Sequence, residues 1–72
     1  MAKTILEKFG ERVRTERHKR ELSQERLAAR AGVHRTYIGM IERAEKNITL
    51  SNIEKIANAL EVPLDKLMNL YK

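Results

Sequence analysis

SQERLAARAGVHRTYIGMIER, residues 23–43, carries two short apolar-periodic segments on either side of Gly32-Val33-His34. In the first, Leu27, Ala28 and Ala31 face inward at helical spacing, and Ser23 stands where an N-cap oxygen accepts a backbone N–H. Gly32 follows, where a helix stops on a left-handed residue. The second segment runs from about Arg35 to Arg43 with Ile38 and Ile41 inside. At about 100° per residue its other side holds Thr36, Gly39, Met40 and Arg43, with Arg35 on the flank at the N-terminus. A threonine, a glycine and an arginine at either end make a bare face for a helix that meets only water.

Outward from this stretch the pattern stays helical. Thr4-x-x-Glu7 forms a capping box ahead of Leu6, Phe9 and Val13, and that first helix ends near Arg20. A fourth helix starts at Thr49 or Ser51 and sets Ile53, Ile56, Ala57 and Leu60 at helical spacing. A fifth, from about Leu64, continues with Leu67, Met68 and Tyr71. No segment alternates as a strand, so the expected class is all-α, a compact five-helix bundle. The 72 residues suffice for one small domain over 1–72, with no linker and no low-complexity tract.

Composition excludes several classes. Cysteine is absent, which removes disulfide frameworks and thiolate metal sites, and His18 and His34 alone make no metal site. No cofactor and no metal are expected. The chain starts without a secretory leader, and no run approaches the roughly 20 apolar residues that span a bilayer. The expectation is an intracellular, cytoplasmic protein. The 15 Lys and Arg exceed the 10 Asp and Glu by five, and the excess is uneven: residues 1–36 hold ten basic and five acidic groups, residues 37–72 five of each. That asymmetry points to a polyanion, nucleic acid or an anionic membrane surface, or to a merely solvated cationic face. Absent tryptophan and scattered basic residues argue against a membrane binder.

Taking Gln24 as the first motif position, Leu27, Ala28, Gly32, Val33, Ile38 and Ile41 fall where a helix-turn-helix needs core, small, turn, core, core and core residues. With FGERVR, LSQERLA and AGVHRTYIGMIERAEKNITLSNIEKIANALEV, the chain resembles the Cro and phage-repressor-like DNA-binding family. HRTYIGMIER followed by EKNITL is most similar to the small controller proteins of restriction-modification systems. The resemblance implies a helix-turn-helix domain with a C-terminal dimerisation helix, binding double-stranded DNA at a palindromic operator. RNA polymerase is a further expected partner.

A recognition helix places its first residues nearest base edges in the major groove. Arg35 can then donate twice to guanine O6 and N7, and Thr36 can meet a thymine methyl or a phosphate; Tyr37 and Met40 complete the expected base contacts, although packing explains those two almost as well. For the backbone the resemblance implies Gln24, Asn47 and Ser51, with Arg43 and Lys46 as electrostatic contributors. Arg17 extends the buried stripe of the first helix, and a charge there wants a partner. Glu42 matches the family's acidic residue, so the two are read as a structural ion pair. Met68, Leu70 and Tyr71 form the expected dimer interface, while Leu64 and Leu67 fill the core.

The chain departs from the family pattern at Glu21 and Ala44, where glycines are common, at His34, where serine often caps, and at Pro63, near a usual serine cap. Both histidines are read as bystanders. No phosphate loop and no nucleophile-base pair support an enzyme. The favoured function is a sequence-specific transcription regulator, and the alternative is an antitoxin or adaptor that uses the fold to hold a protein partner.

Overall fold

Residues 3–71 are described by a computed structural model. Five helices follow in order among them: α1 Ile5–Lys19, α2 Gln24–Ala31, α3 Arg35–Glu42, α4 Leu50–Leu60 and α5 Leu64–Leu67. The capping box closes at the start of α1, where Glu7 N donates to Thr4 Oγ1 (3.1 Å) and Thr4 N to Glu7 Oε1 (2.7 Å). Ser23 and Thr49 cap α2 and α4 by accepting from Arg26 N and Asn52 N. Val13, Leu27, Ile38, Ile41, Ile56, Leu60 and Leu67 are fully buried in one core to which all five helices contribute.

Helices α1 to α4 all stop in the same way. The residues after them, Glu21, Gly32, Ala44 and Glu61, have φ of 54°, 71°, 60° and 58°. In each case the next N–H reaches back five residues: Leu22 to Arg17 O, Val33 to Ala28 O, Glu45 to Met40 O and Val62 to Ala57 O. These are Schellman stops, which satisfy terminal carbonyls that would otherwise lack donors. Only α2 uses glycine for the purpose. At the other three positions a side chain occupies left-handed space, at roughly 1–2 kcal/mol each. Positions 21 and 44, where glycine is absent, therefore still turn left-handed and carry the strain.

The C-terminus differs from the sequence expectation. Helix α5 makes a single turn and ends before Met68, so Tyr71 lies outside it. Pro63 offers no side-chain acceptor to start the helix, and Leu70 N bonds Met68 O (2.9 Å), which bends the chain away from helical geometry. Leu67 is buried, but Leu64 is 44% exposed and does not fill the core. Met68 and Leu70 are half-buried against the core, and the exposed Tyr71 ring lies 3.7 Å from Lys8 Nζ in a cation–π contact.

Gly10 fixes how closely α1 approaches α3. A Cβ there would stand 2.6 Å from Ile41 O and 2.8 Å from Glu42 O, both backbone atoms. In a free helix alanine is favoured over glycine by about 1 kcal/mol. Here the sign reverses, because the two helices must part to admit a methyl. Gly10→Ala is expected to lose about 1–3 kcal/mol in urea unfolding, the usual scale of overpacking; an unchanged or raised midpoint would show that the α1–α3 contact yields easily.

Candidate nucleic-acid interface

Helix α3 has a tethered end and an open end. At the open end His34 is the N-cap, its Nδ1 accepting from Thr36 N at 3.1 Å. This corrects the reading of His34 as a bystander: an imidazole nitrogen takes over the acceptor role of the usual serine hydroxyl. Arg35 and Thr36 follow directly, both exposed.

Gly39 also needs correction. It lies on the outward side by helical angle but is buried, because the long side chains of Arg43 and Gln24 fold over it; a Cβ would meet Arg43 Nη1 at 3.0 Å and Gln24 Oε1 at 3.5 Å. The missing side chain leaves a notch of about 270 Å³ lined by Gln24, Arg35, Thr36, Gly39 and Arg43. A helical wheel gives direction but not the reach of neighbouring side chains. Arg43 also pairs with Glu45 at 3.0 Å, both about half exposed, an exchangeable surface contact.

The remaining sequence-selected residues divide. Lys46, Asn47 and Ser51 are exposed on the α3–α4 connection and the first turn of α4, with Ser51 Oγ 3.2 Å from Thr49 Oγ1. Met40 and Tyr37 are half-buried, and Tyr37 also packs against the core. Asn52 Nδ2 donates to the Tyr37 hydroxyl at 3.0 Å, so the phenol keeps one hydrogen to donate elsewhere. Asn52 carried no signal in the sequence, since an Asn in the first turn of a helix is ordinary. Gly10 did carry one, as a lone glycine inside a helix-forming run.

At the tethered end the Glu42 side chain is fully enclosed. Arg17 Nε donates to Glu42 Oε2 at 2.7 Å and Arg17 Nη2 to Oε1 at 3.0 Å, while Arg17 Nη1 reaches Leu22 O at 2.8 Å. Gln24 Nε2 adds a bond to Oε1 at 3.1 Å, and Arg14 Nε stands 3.4 Å from the same oxygen. Burial pushes the Glu42 carboxyl up, but hydrogen bonds from Arg17, Gln24 and Arg14 and the Arg17 charge outweigh it, leaving the group below its ordinary 4.5. Gln24 is thus held by the ion pair at the edge of the notch.

Comparison with known proteins places this geometry among relatives. A helix-turn-helix family profile matches residues 13–67. The chain is 48% identical over 64 residues to Control protein C.SmaI of Serratia marcescens, covering 89% of this chain and 76% of that one. The structure of the restriction-modification controller protein C.AhdI from Aeromonas hydrophila superposes with a TM-score of 0.84 at 45% identity, covering 86% of this chain and 94% of its own. C.Esp1396I bound to a 25 base pair operator site gives a TM-score of 0.82 at 30% identity, covering 93% and 92%.

The buried pair makes an acid-sensitive prediction. Arg17→Met removes the bidentate partner and leaves the enclosed carboxylate with Gln24 and the long Arg14 contact alone, a loss of about 3–5 kcal/mol near neutral pH. That is a large share of the stability of a chain this size, about 4–11 kcal/mol at about 0.05–0.15 kcal/mol per residue. In the parent protein Glu42, lowered in the folded state, contributes fully above 4.5 and loses its contribution as pH falls through its folded value. In Arg17→Met the largest opposing contribution is gone while burial remains, so the folded value moves upward and protonation costs the fold less. The gap between variant and parent, read from circular dichroism in urea at neutral and acid pH, is expected to narrow below 4.5; a pH-independent gap would assign the loss to packing.

Proposed function

The chain belongs to the helix-turn-helix family, with restriction-modification controller proteins as its relatives, and from that premise we propose that it is a sequence-specific transcription regulator rather than an enzyme. It binds palindromic operator DNA through α3 as a homodimer. The observation that carries this reading is the open end of α3: Arg35 and Thr36 exposed beside a notch that the missing Gly39 side chain creates. A helix set in the major groove presents its N-terminal side chains to base edges, and the notch lets its flank come close. Gln24, Arg43, Lys46, Asn47 and Ser51 surround that end with groups suited to phosphate oxygens. The operator-bound relative favours this reading over an antitoxin or adaptor. The same reading makes residues 1–72 one DNA-binding domain working in the cytoplasm, with RNA polymerase as a further partner; among the described residues no helix is long and apolar enough to cross a membrane.

One recognition helix spans only a few base pairs, so specificity calls for two, on half-sites about 34–36 Å apart. The C-terminal segment supports a symmetric pairing. Met68 and Leu70 are half-buried while Leu64 and Tyr71 stand open, an apolar margin that a twofold mate would cover.

Two measurements test these assignments. Arg35→Ala is expected to weaken cognate binding by about 1–3 kcal/mol and nonspecific binding less; equal losses on both duplexes would reduce Arg35 to a phosphate contact. Leu64→Asp lies outside the core, so it is expected to give a folded monomer in sedimentation with weakened cooperative operator binding. A persistent dimer would move the interface elsewhere.

A further inference from the structure

The Glu42 cluster contains two cations for one anion. Arg17 occupies both carboxylate oxygens, at 2.7 and 3.0 Å, and its side chain is 10% exposed. Arg14 contributes a single contact at 3.4 Å, too long for a strong bond, from a side chain 47% exposed. The carboxylate is already neutralised inside, so Arg14 is the surplus charge, and it sits at the surface. Its Nη groups are free of hydrogen bonds among the described residues, which leaves the outward fork of the guanidinium for an external oxyanion.

A second group converges there. Gln24 Nε2 donates to the same Glu42 Oε1, at 3.1 Å, and an amide nitrogen carries two hydrogens, of which that bond uses one. Gln24 stands in the first turn of the eight-residue α2 and lines the notch beside Arg35, Thr36 and Arg43. A phosphate that meets the second Gln24 N–H therefore approaches the Arg14 fork, because both side chains reach the same carboxylate oxygen. The charge balance also suits an anion: with Arg17 and Glu42 cancelling, an incoming phosphodiester meets the unbalanced positive charge of Arg14.

We infer that Arg14 of α1, set against Glu42 beside Gln24, clamps one phosphate of the DNA backbone. This rests on the DNA-binding reading above and extends the interface to a helix outside the helix-turn-helix. Arg14 is a binding residue in this account, Glu42 is the positioning residue that holds it, and Arg17 keeps Glu42 from competing as an uncompensated charge.

A backbone contact is independent of sequence, so a mixed-sequence DNA duplex serves as the probe. The readout is the slope of log affinity against log salt for the full chain and its Arg14→Gln, Arg14→Lys, Gln24→Ala and Lys66→Gln variants, with circular dichroism to verify folding. Arg14→Gln is expected to flatten the slope by about 0.9, so that its affinity falls about 3.5-fold less than the parent's between 50 and 200 mM salt. Arg14→Lys restores the slope, and Gln24→Ala weakens binding without changing it. Lys66→Gln removes the same unit of charge from α5 and leaves the slope in place. A folded Arg14→Gln protein with the parent's slope, or equal flattening by Lys66→Gln, overturns the clamp while the parent's salt-dependent binding preserves the DNA-binding reading. A parent protein that ignores the duplex at all salt concentrations overturns both.

Discussion

The Glu42 carboxylate receives hydrogen bonds from two helices other than its own, from Arg17 and Arg14 on α1 and from Gln24 on α2. Nearby, the carbonyls of Ile41 and Glu42 lie against Gly10 with no room for a methyl. An enclosed charge tolerates little displacement, because a small separation leaves both partners desolvated and poorly paired. A backbone approach that excludes a single carbon tolerates little compression. Together they fix the C-terminal end of α3 against α1 and α2. An eight-residue helix has marginal stability of its own, so this tether, with the burial of Ile38 and Ile41, sets where α3 points.

The tether has consequences at the opposite end of the helix. With the C-terminal end held, Arg35 and Thr36 project from a fixed axis, and the His34 cap orders the first turn they stand on. Rigid placement lowers the ordering cost of binding, since side chains already near their bound positions lose less freedom. The left-handed residues at 21, 44 and 61 belong to the same pattern. Each spends stability on a helix end that must turn sharply, and two of them adjoin the segments that carry Gln24 and Lys46.

Much of the architecture was legible because it rests on local periodicity. Leu27, Ile38, Ile41, Ile53 and Ile56 repeat at helical spacing and are buried, and Thr4, Ser23 and Gly32 mark helix ends by their side-chain chemistry or lack of it. What escaped depends on how side chains meet across elements. The roof over Gly39 comes from Gln24 on another helix and from Arg43 folding back, which no wheel of α3 contains. Asn52 holds Tyr37 across fifteen positions of sequence, and Arg14 joins a cluster twenty-eight residues away. His34 escaped for a local reason, since the serine usual at a cap hides that an imidazole nitrogen serves equally as acceptor. Tyr71 escaped because α5 is shorter than its apolar pattern, and Leu64 because the first residue of a one-turn helix stands at its exposed start.

In the proposed DNA complex α3 enters a major groove with Arg35 leading, once in each of two symmetric half-sites. Dimethyl sulfate footprinting on the DNA upstream of the protein's own gene addresses this placement directly, since the reagent methylates guanine N7 in the major groove and adenine N3 in the minor groove. Guanine N7 protection is expected in two inverted clusters about one helical turn apart, about 34–36 Å between centres. Protection confined to adenine N3, or a single cluster with no symmetric mate under saturating protein, would contradict this placement.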